Sequence, residues 1–155
     1  MSQATPSPTQ KIIAEINLAQ LAPGLTLDCP EMASFHQLRL QIQAELESMP
    51  GYIWSIDQES GEYAQHPEDP RVLINMSTWR DRGALAKFMR LPAHQEAMRR
   101  AAEWFVHMEA PTLAIWEVDE GHQPTVTEGL ERLKLTKAIS STDMARARNP
   151  EIFTE

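Results

Sequence analysis

Arg71-Val-Leu-Ile-Asn-Met-Ser-Thr-Trp79 is the stretch whose reading decides the fold. Side chains alternate across a strand, so Val72, Ile74 and Met76 point one way and Leu73, Asn75, Ser77 and Trp79 the other. Both faces carry apolar residues, which predicts a strand covered on both sides. The overlapping Thr78-Trp-Arg-Asp81 matches a capping box, with Asp the weaker residue at its last position. The predicted helix carries Leu85, Phe88 and Met89 on one side. Pro92 breaks or restarts it, and a second helical run is expected over 93–108. After Pro111, Thr112-Leu-Ala-Ile-Trp-Glu-Val118 reads as another strand.

Upstream, Lys11-Ile-Ile-Ala-Glu-Ile-Asn-Leu18 is a strand with apolar residues on both faces. A loop over 22–30 ends at Pro30, which suits a first helical turn. Phe35, Leu38, Ile42, Leu46 and Met49 recur at helical spacing until Pro50-Gly51. Tyr52-Ile-Trp-Ser-Ile56 is a strand, and Glu59 to Pro70 a polar loop. Downstream, Thr125-Val-Thr-Glu128 is a capping box opening a last helix to about Ala138. The order is β-α-β-β-α-β with an extra C-terminal helix, an α+β, ferredoxin-like arrangement. One domain is expected over 11–138, between a disordered tail over 1–10 and a polar tail over 139–155. Two helices cover one sheet face only, so a second copy is expected on the other, in a homodimer.

The composition narrows the function. The chain has 155 residues, 42% of them hydrophobic, and a formal net charge of −8. That charge is repelled by phosphate, so neither nucleic acid nor an anionic membrane surface is an expected partner. Cys29 is the one cysteine, no signal peptide opens the chain, and no run of about 18 apolar residues spans a membrane. The expected location is the cytoplasm. The five histidines include no His-x-x-x-His pair, and no metal site is expected. The scattered glycines build no phosphate loop or dinucleotide fingerprint.

Several residues could carry chemistry. His94 shares a helical stripe with Met98, Ala101 and Phe105, so its imidazole points inward, either as a bonded core histidine or as a general acid or base. Asn75 and Ser77 are polar within an apolar strand and need partners, a loop backbone or a ligand. Trp54, Trp79, Trp104 and Trp116 pack a core or wall an aromatic ligand pocket, with Asn17 or Asn75 available to an indole N–H. Glu96, Arg99, Arg100 and Glu103 have the spacing of surface ion pairs, and Arg100 could instead bind an anion.

Asn75-Met-Ser-Thr-Trp79, Gly83-Ala-Leu-Ala-Lys-Phe88 and His94 resemble the core of the dimeric α+β barrel superfamily, which includes antibiotic-biosynthesis monooxygenases, polyketide cyclases and stress-response proteins. Ala93-His94-Gln-Glu-Ala-Met-Arg-Arg-Ala-Ala-Glu-Trp-Phe105, Leu113-Ala-Ile-Trp116 and Gly121-His-Gln-Pro-Thr125 resemble, more narrowly, the bacterial domain of unknown function 3291. Asn17, and Pro50-Gly51 before Trp54, also match. The chain departs from that pattern at Met89-Arg-Leu-Pro-Ala93, at Leu40 and Gln43, and at Glu117.

The resemblance implies a dimeric α+β barrel. It also implies a cofactor-independent monooxygenase, or a cyclase or isomerase, for an apolar or aromatic substrate in a biosynthetic pathway. His94 and Asn75 are then catalytic, and Asn17, Trp54, Trp79, Trp104, Trp116 and Arg100 bind substrate. The alternatives are a stress-associated or ligand-binding barrel without turnover, and a haem-binding member using a histidine.

Overall fold

The structure, a computed structural model, describes residues 10–60 and 63–136. The expected tails over 1–10 and 139–155 lie outside the described residues, save Gln10, whose carbonyl accepts the Glu120 N–H at 2.7 Å.

The elements run β1 (Lys11–Leu21), a 3₁₀ turn (Pro30–Met32), α1 (Ala33–Glu47), β2 (Tyr52–Ser55), α2 (Ile56–Ser60), β3 (Ala64–His66) and β4 (Asp69–Trp79). They continue with α3 (Arg82–Met89), α4 (Pro92–Arg99), a second 3₁₀ turn (Ala101–Glu103), β5 (Phe105–Val106), β6 (Leu113–Asp119) and α5 (Val126–Thr136). β1 and β4 are the central antiparallel pair, with Glu15 opposite Ser77 and Asn17 opposite Asn75. β2 and β3 flank β4, while β6 and β5 share the far side of β1. This is the ferredoxin-like order expected of a β-α-β-β-α-β chain.

Four local expectations are corrected. The polar loop over 59–70 contains the end of α2 and the short strand β3, which pairs with β4. The helical run over 93–108 stops at Arg99, because the chain must return to β1: β5 pairs with Gln20 and Leu21, and the Trp104 carbonyl accepts the Ala22 N–H at 2.9 Å. Thr78 caps nothing. It lies within β4 opposite Ala14, and the cap of α3 is Asp81, whose carboxylate accepts the Ala84 N–H at 2.8 Å. By contrast, Thr125 does cap α5, accepting the Glu128 N–H at 3.1 Å.

The fourth correction concerns the second face of the sheet, which is not left to a partner alone. Ile12, Ala14, Ile16, Ile74, Met76, Trp116 and Val118 form one core with Leu133 of α5, and Val126 and Leu130 pack against it. The close approach depends on Gly129, where a Cβ would stand 2.6 Å from Ile16 Cδ1 and 2.8 Å from Met76 Sδ. On the opposite face, α1 and α3 bury Ile13, Leu46, Trp79, Leu85 and Phe88. Gly51 (φ +87°) turns the chain into β2, and a Cβ there would lie 2.6 Å from Ala84 Cβ. That glycine lets α3 sit against the turn. Among the described residues no helix is long and apolar enough to cross a membrane.

Candidate active site

Between the β1–β4 face and the helices lies a cavity of about 480 Å³. Its floor follows from strand register. Alternation puts Glu15 and Asn17 of β1 on the same face as Asn75, Ser77 and Trp79 of β4, and pairing sets them side by side. All five line the cavity, as do Arg39, Ile42 and Gln43 of α1, Phe88 of α3 and His94 of α4.

Glu15 is the residue that inspection of the sequence missed. It is only 6% exposed, although it is a carboxylate in a strand core. Ser77 Oγ donates to Glu15 Oε1 at 3.0 Å, and Trp79 Nε1 donates to Ser77 Oγ at 2.8 Å. Burial pushes the Glu15 carboxyl up to about 7, against the Ser77 hydrogen bond, which favours the ionised form. Desolvation outweighs one hydroxyl donor, as expected of a buried carboxyl. A signal for it was present in the sequence: Glu15 and Asn17 alternate on β1 as Asn75 and Ser77 do on β4, two polar pairs sharing one face.

His94 also lines the cavity. Its ring lies edge-on to Phe88 at 4.8 Å between centroids, and its buried Nδ1 has no hydrogen-bond partner among the described residues. Burial lowers its pKa, against the Met89 carbonyl, which favours the protonated ring. The imidazole is therefore neutral at neutral pH and able to accept or pass a proton. Gln43 Nε2 and Tyr63 OH are two further buried atoms without partners among the described residues, and both residues line the same cavity. Three such atoms around one space are polar positions that a bound molecule can satisfy.

The structure brings together some of the sequence candidates and separates others. His94, Asn75, Asn17 and Trp79 share the cavity, and Asn75 is solvent-accessible there. Trp116 lies on the opposite face of the sheet and donates to Glu128 Oε2 at 3.0 Å, while Trp54 packs against that same core. Trp104 is buried with Leu21, Met32 and Leu73, and Arg100 lies over its ring while pairing with Glu103 at 2.8 Å. None of these four lines the cavity. The aromatic wall comes instead from Phe35, Tyr63 and Phe105, with Phe35 5.4 Å from Tyr63 and 5.1 Å from Phe105. Arg39 of the wall is held by Asp57 at 3.1 Å and lies 4.1 Å from the Tyr63 ring centroid. Among the described residues no group of three or more His, Cys, Asp or Glu side chains is placed to hold a metal.

The described part of this chain shares its fold with solved proteins of low sequence identity. A proposed antibiotic biosynthesis monooxygenase from Caulobacter crescentus CB15 is 13% identical, with a TM-score of 0.51 over 74% of this chain and 93% of that one. One from Nitrosomonas europaea is 9% identical, with a TM-score of 0.50 over 78% of this chain and 100% of that one. A conserved protein from Methanosarcina mazei Go1 is 18% identical, with a TM-score of 0.50 over 70% and 91%. These likenesses establish the α+β, ferredoxin-like fold. No curated protein matches the sequence. The family model of the domain of unknown function DUF3291 matches residues 12–148, which takes in β1 from its second residue, every other element of the cavity and α5. The chain belongs to the DUF3291 family.

Proposed function

We propose that this protein is an enzyme that works without a bound cofactor on a small, uncharged, apolar or aromatic molecule, by moving a proton inside the cavity. Glu15 carries the reading: it is a buried carboxyl on the cavity floor with a pKa of about 7. Such a group is base and acid in comparable amounts at neutral pH, the condition that favours proton transfer. His94, neutral and with Nδ1 unpartnered, is the second acid–base group. Asn75 orients the substrate, and Trp79, Phe35 and Phe105 wall it. Removing a phenolic or enolic proton leaves an electron-rich anion. That anion leads to an isomer or ring-closed product when the proton returns elsewhere; with dioxygen as the oxidant its carbon bonds to oxygen, a proton completes a hydroperoxide, and loss of water from that carbon leaves a carbonyl. The fold shared with proteins named for antibiotic biosynthesis monooxygenation supports this choice of chemistry.

Haem fits this cavity poorly. His94 or His107 could serve as an axial ligand, and both line it. Its two propionates would need cationic partners, however, and among the described lining residues Arg39, the one guanidinium, is already paired with Asp57, while Glu15 adds a further carboxyl to the wall. We also read the protein as a cytoplasmic homodimer. Ile53 on the flanking strand β2 and Leu135 on α5 are exposed apolar side chains that a second copy would cover.

The test is a panel of phenols and enolisable β-dicarbonyls, followed by dioxygen uptake and by product isomer analysis. Turnover that falls about a hundredfold in Glu15→Gln is the expected result. Binding of the panel with no turnover, in air or without it, would favour a ligand-binding barrel instead.

A further inference from the structure

Trp79 is fully buried and Ser77 is 4% exposed, so neither side chain finds its hydrogen bonds in water. An indole N–H can only donate, and a serine hydroxyl has one proton and two acceptor positions. With Trp79 Nε1 2.8 Å from Ser77 Oγ, one acceptor position of that oxygen is taken. The Ser77 proton is then directed at Glu15 Oε1, 3.0 Å away. We propose that Trp79, Ser77 and Glu15 form a relay in which the indole fixes the hydroxyl and the hydroxyl serves the carboxylate, making Ser77 and Trp79 positioning residues for the acid–base group. This rests on the reading of Glu15 as the proton-transfer group, but its geometry can be probed without turnover.

Hydrogen bonds in a chain polarise one another. When Glu15 is ionised, Ser77 Oγ becomes a stronger acceptor and the Trp79 indole bond tightens. When Glu15 is protonated, the carboxyl can donate to Ser77 and the indole bond relaxes. Among the described residues, the other groups on the cavity wall that could disturb this titration are few. They are His94 from α4, His107 beyond β5, Tyr63, and Arg39 of α1 paired with Asp57 of α2; Glu15's cross-strand neighbour on β6 is the uncharged Ile115.

The experiment is a pH titration of the tryptophan indole N–H resonances by NMR on the full chain. The Trp79 resonance is assigned by its loss in Trp79→Phe. It is expected to move downfield as pH rises through the Glu15 midpoint, near 7. Glu15→Gln should abolish that movement. Ser77→Ala should abolish it too and raise the Glu15 midpoint by about one pH unit, since a hydrogen bond to the charged form is lost. Ser77→Thr should restore both. An indole resonance that does not respond to pH, or that responds equally in Glu15→Gln, overturns the relay, and wild type against Glu15→Gln decides this even if Ser77→Ala does not fold. A flat indole titration with turnover still dependent on Glu15 would remove the relay and leave the proton-transfer reading. The expected titration in a protein inactive on every compound would do the reverse.

Discussion

Glu15 and Ser77 stand opposite each other on β1 and β4, joined by a 3.0 Å hydrogen bond on the floor of the cavity. The pair forms across a strand interface between residues far apart in the chain. It puts the one carboxylate of the β1–β4 core where a ligand would lie.

Glu15 makes stability depend on pH. Its pKa rises from 4.5 to about 7 on folding, so between these values the folded state binds more protons than the unfolded one. Its contribution is therefore fully present below pH 4.5 and is lost as pH rises through 7, for a total of up to about 3 kcal/mol. Glu15→Gln should be the more stable protein above pH 7 and should lose this advantage toward pH 4.5. Urea unfolding of both proteins at several pH values measures the difference. A constant difference would show that Glu15 titrates normally.

His94→Ala should leave folding nearly unchanged, within about 1 kcal/mol, because the ring is only half-buried and Nδ1 makes no hydrogen bond, so that little beyond its contact with the Met89 carbonyl is lost. Turnover should fall by about a hundredfold. Thermal melting and steady-state kinetics on the same preparation separate the two effects. A large loss of stability with proportionate loss of activity would make His94 a packing residue.

Gly129→Ala should destabilise by about 1–3 kcal/mol, since the new Cβ would meet Ile16 and Met76 at 2.6 and 2.8 Å. The helix must then lift from the sheet. Because α5 lies on the face away from the cavity, ligand affinity should change far less than the unfolding midpoint. Urea unfolding and ligand titration check both parts.

Light scattering at micromolar concentration should return twice the 17.6 kDa chain mass. Ile53→Lys, placing a charge on the exposed edge of β2, should shift the species toward one chain mass if that edge lies in the contact. A folded wild-type protein at one chain mass would contradict the homodimer.

Much of this architecture could be read from alternation alone. β4 was legible because Val72, Ile74 and Met76 separate cleanly from Leu73, Asn75, Ser77 and Trp79, and α5 because Thr125 and Glu128 mark its start. The end of α4 was not legible. The helical spacing runs on past Arg99, and what stops it is the pairing of Phe105 with Leu21, a tertiary contact. The tryptophans misled for a related reason: an indole suits a core as well as a pocket, and only topology sends Trp116 to the α5 face and Trp79 to the cavity. Glu15 was overlooked because Ile12, Ile13, Ala14 and Ile16 make its strand look apolar throughout. Its importance comes from register and desolvation, and neither exists before the sheet forms.

The most direct test of the account is the ionisation of Glu15 itself, read from its side-chain carboxyl carbon by NMR and assigned by its loss in Glu15→Gln. The account predicts a midpoint near 7 in the free protein, moved when a cavity ligand binds. A midpoint near the ordinary 4.5, unchanged by every ligand, would contradict it.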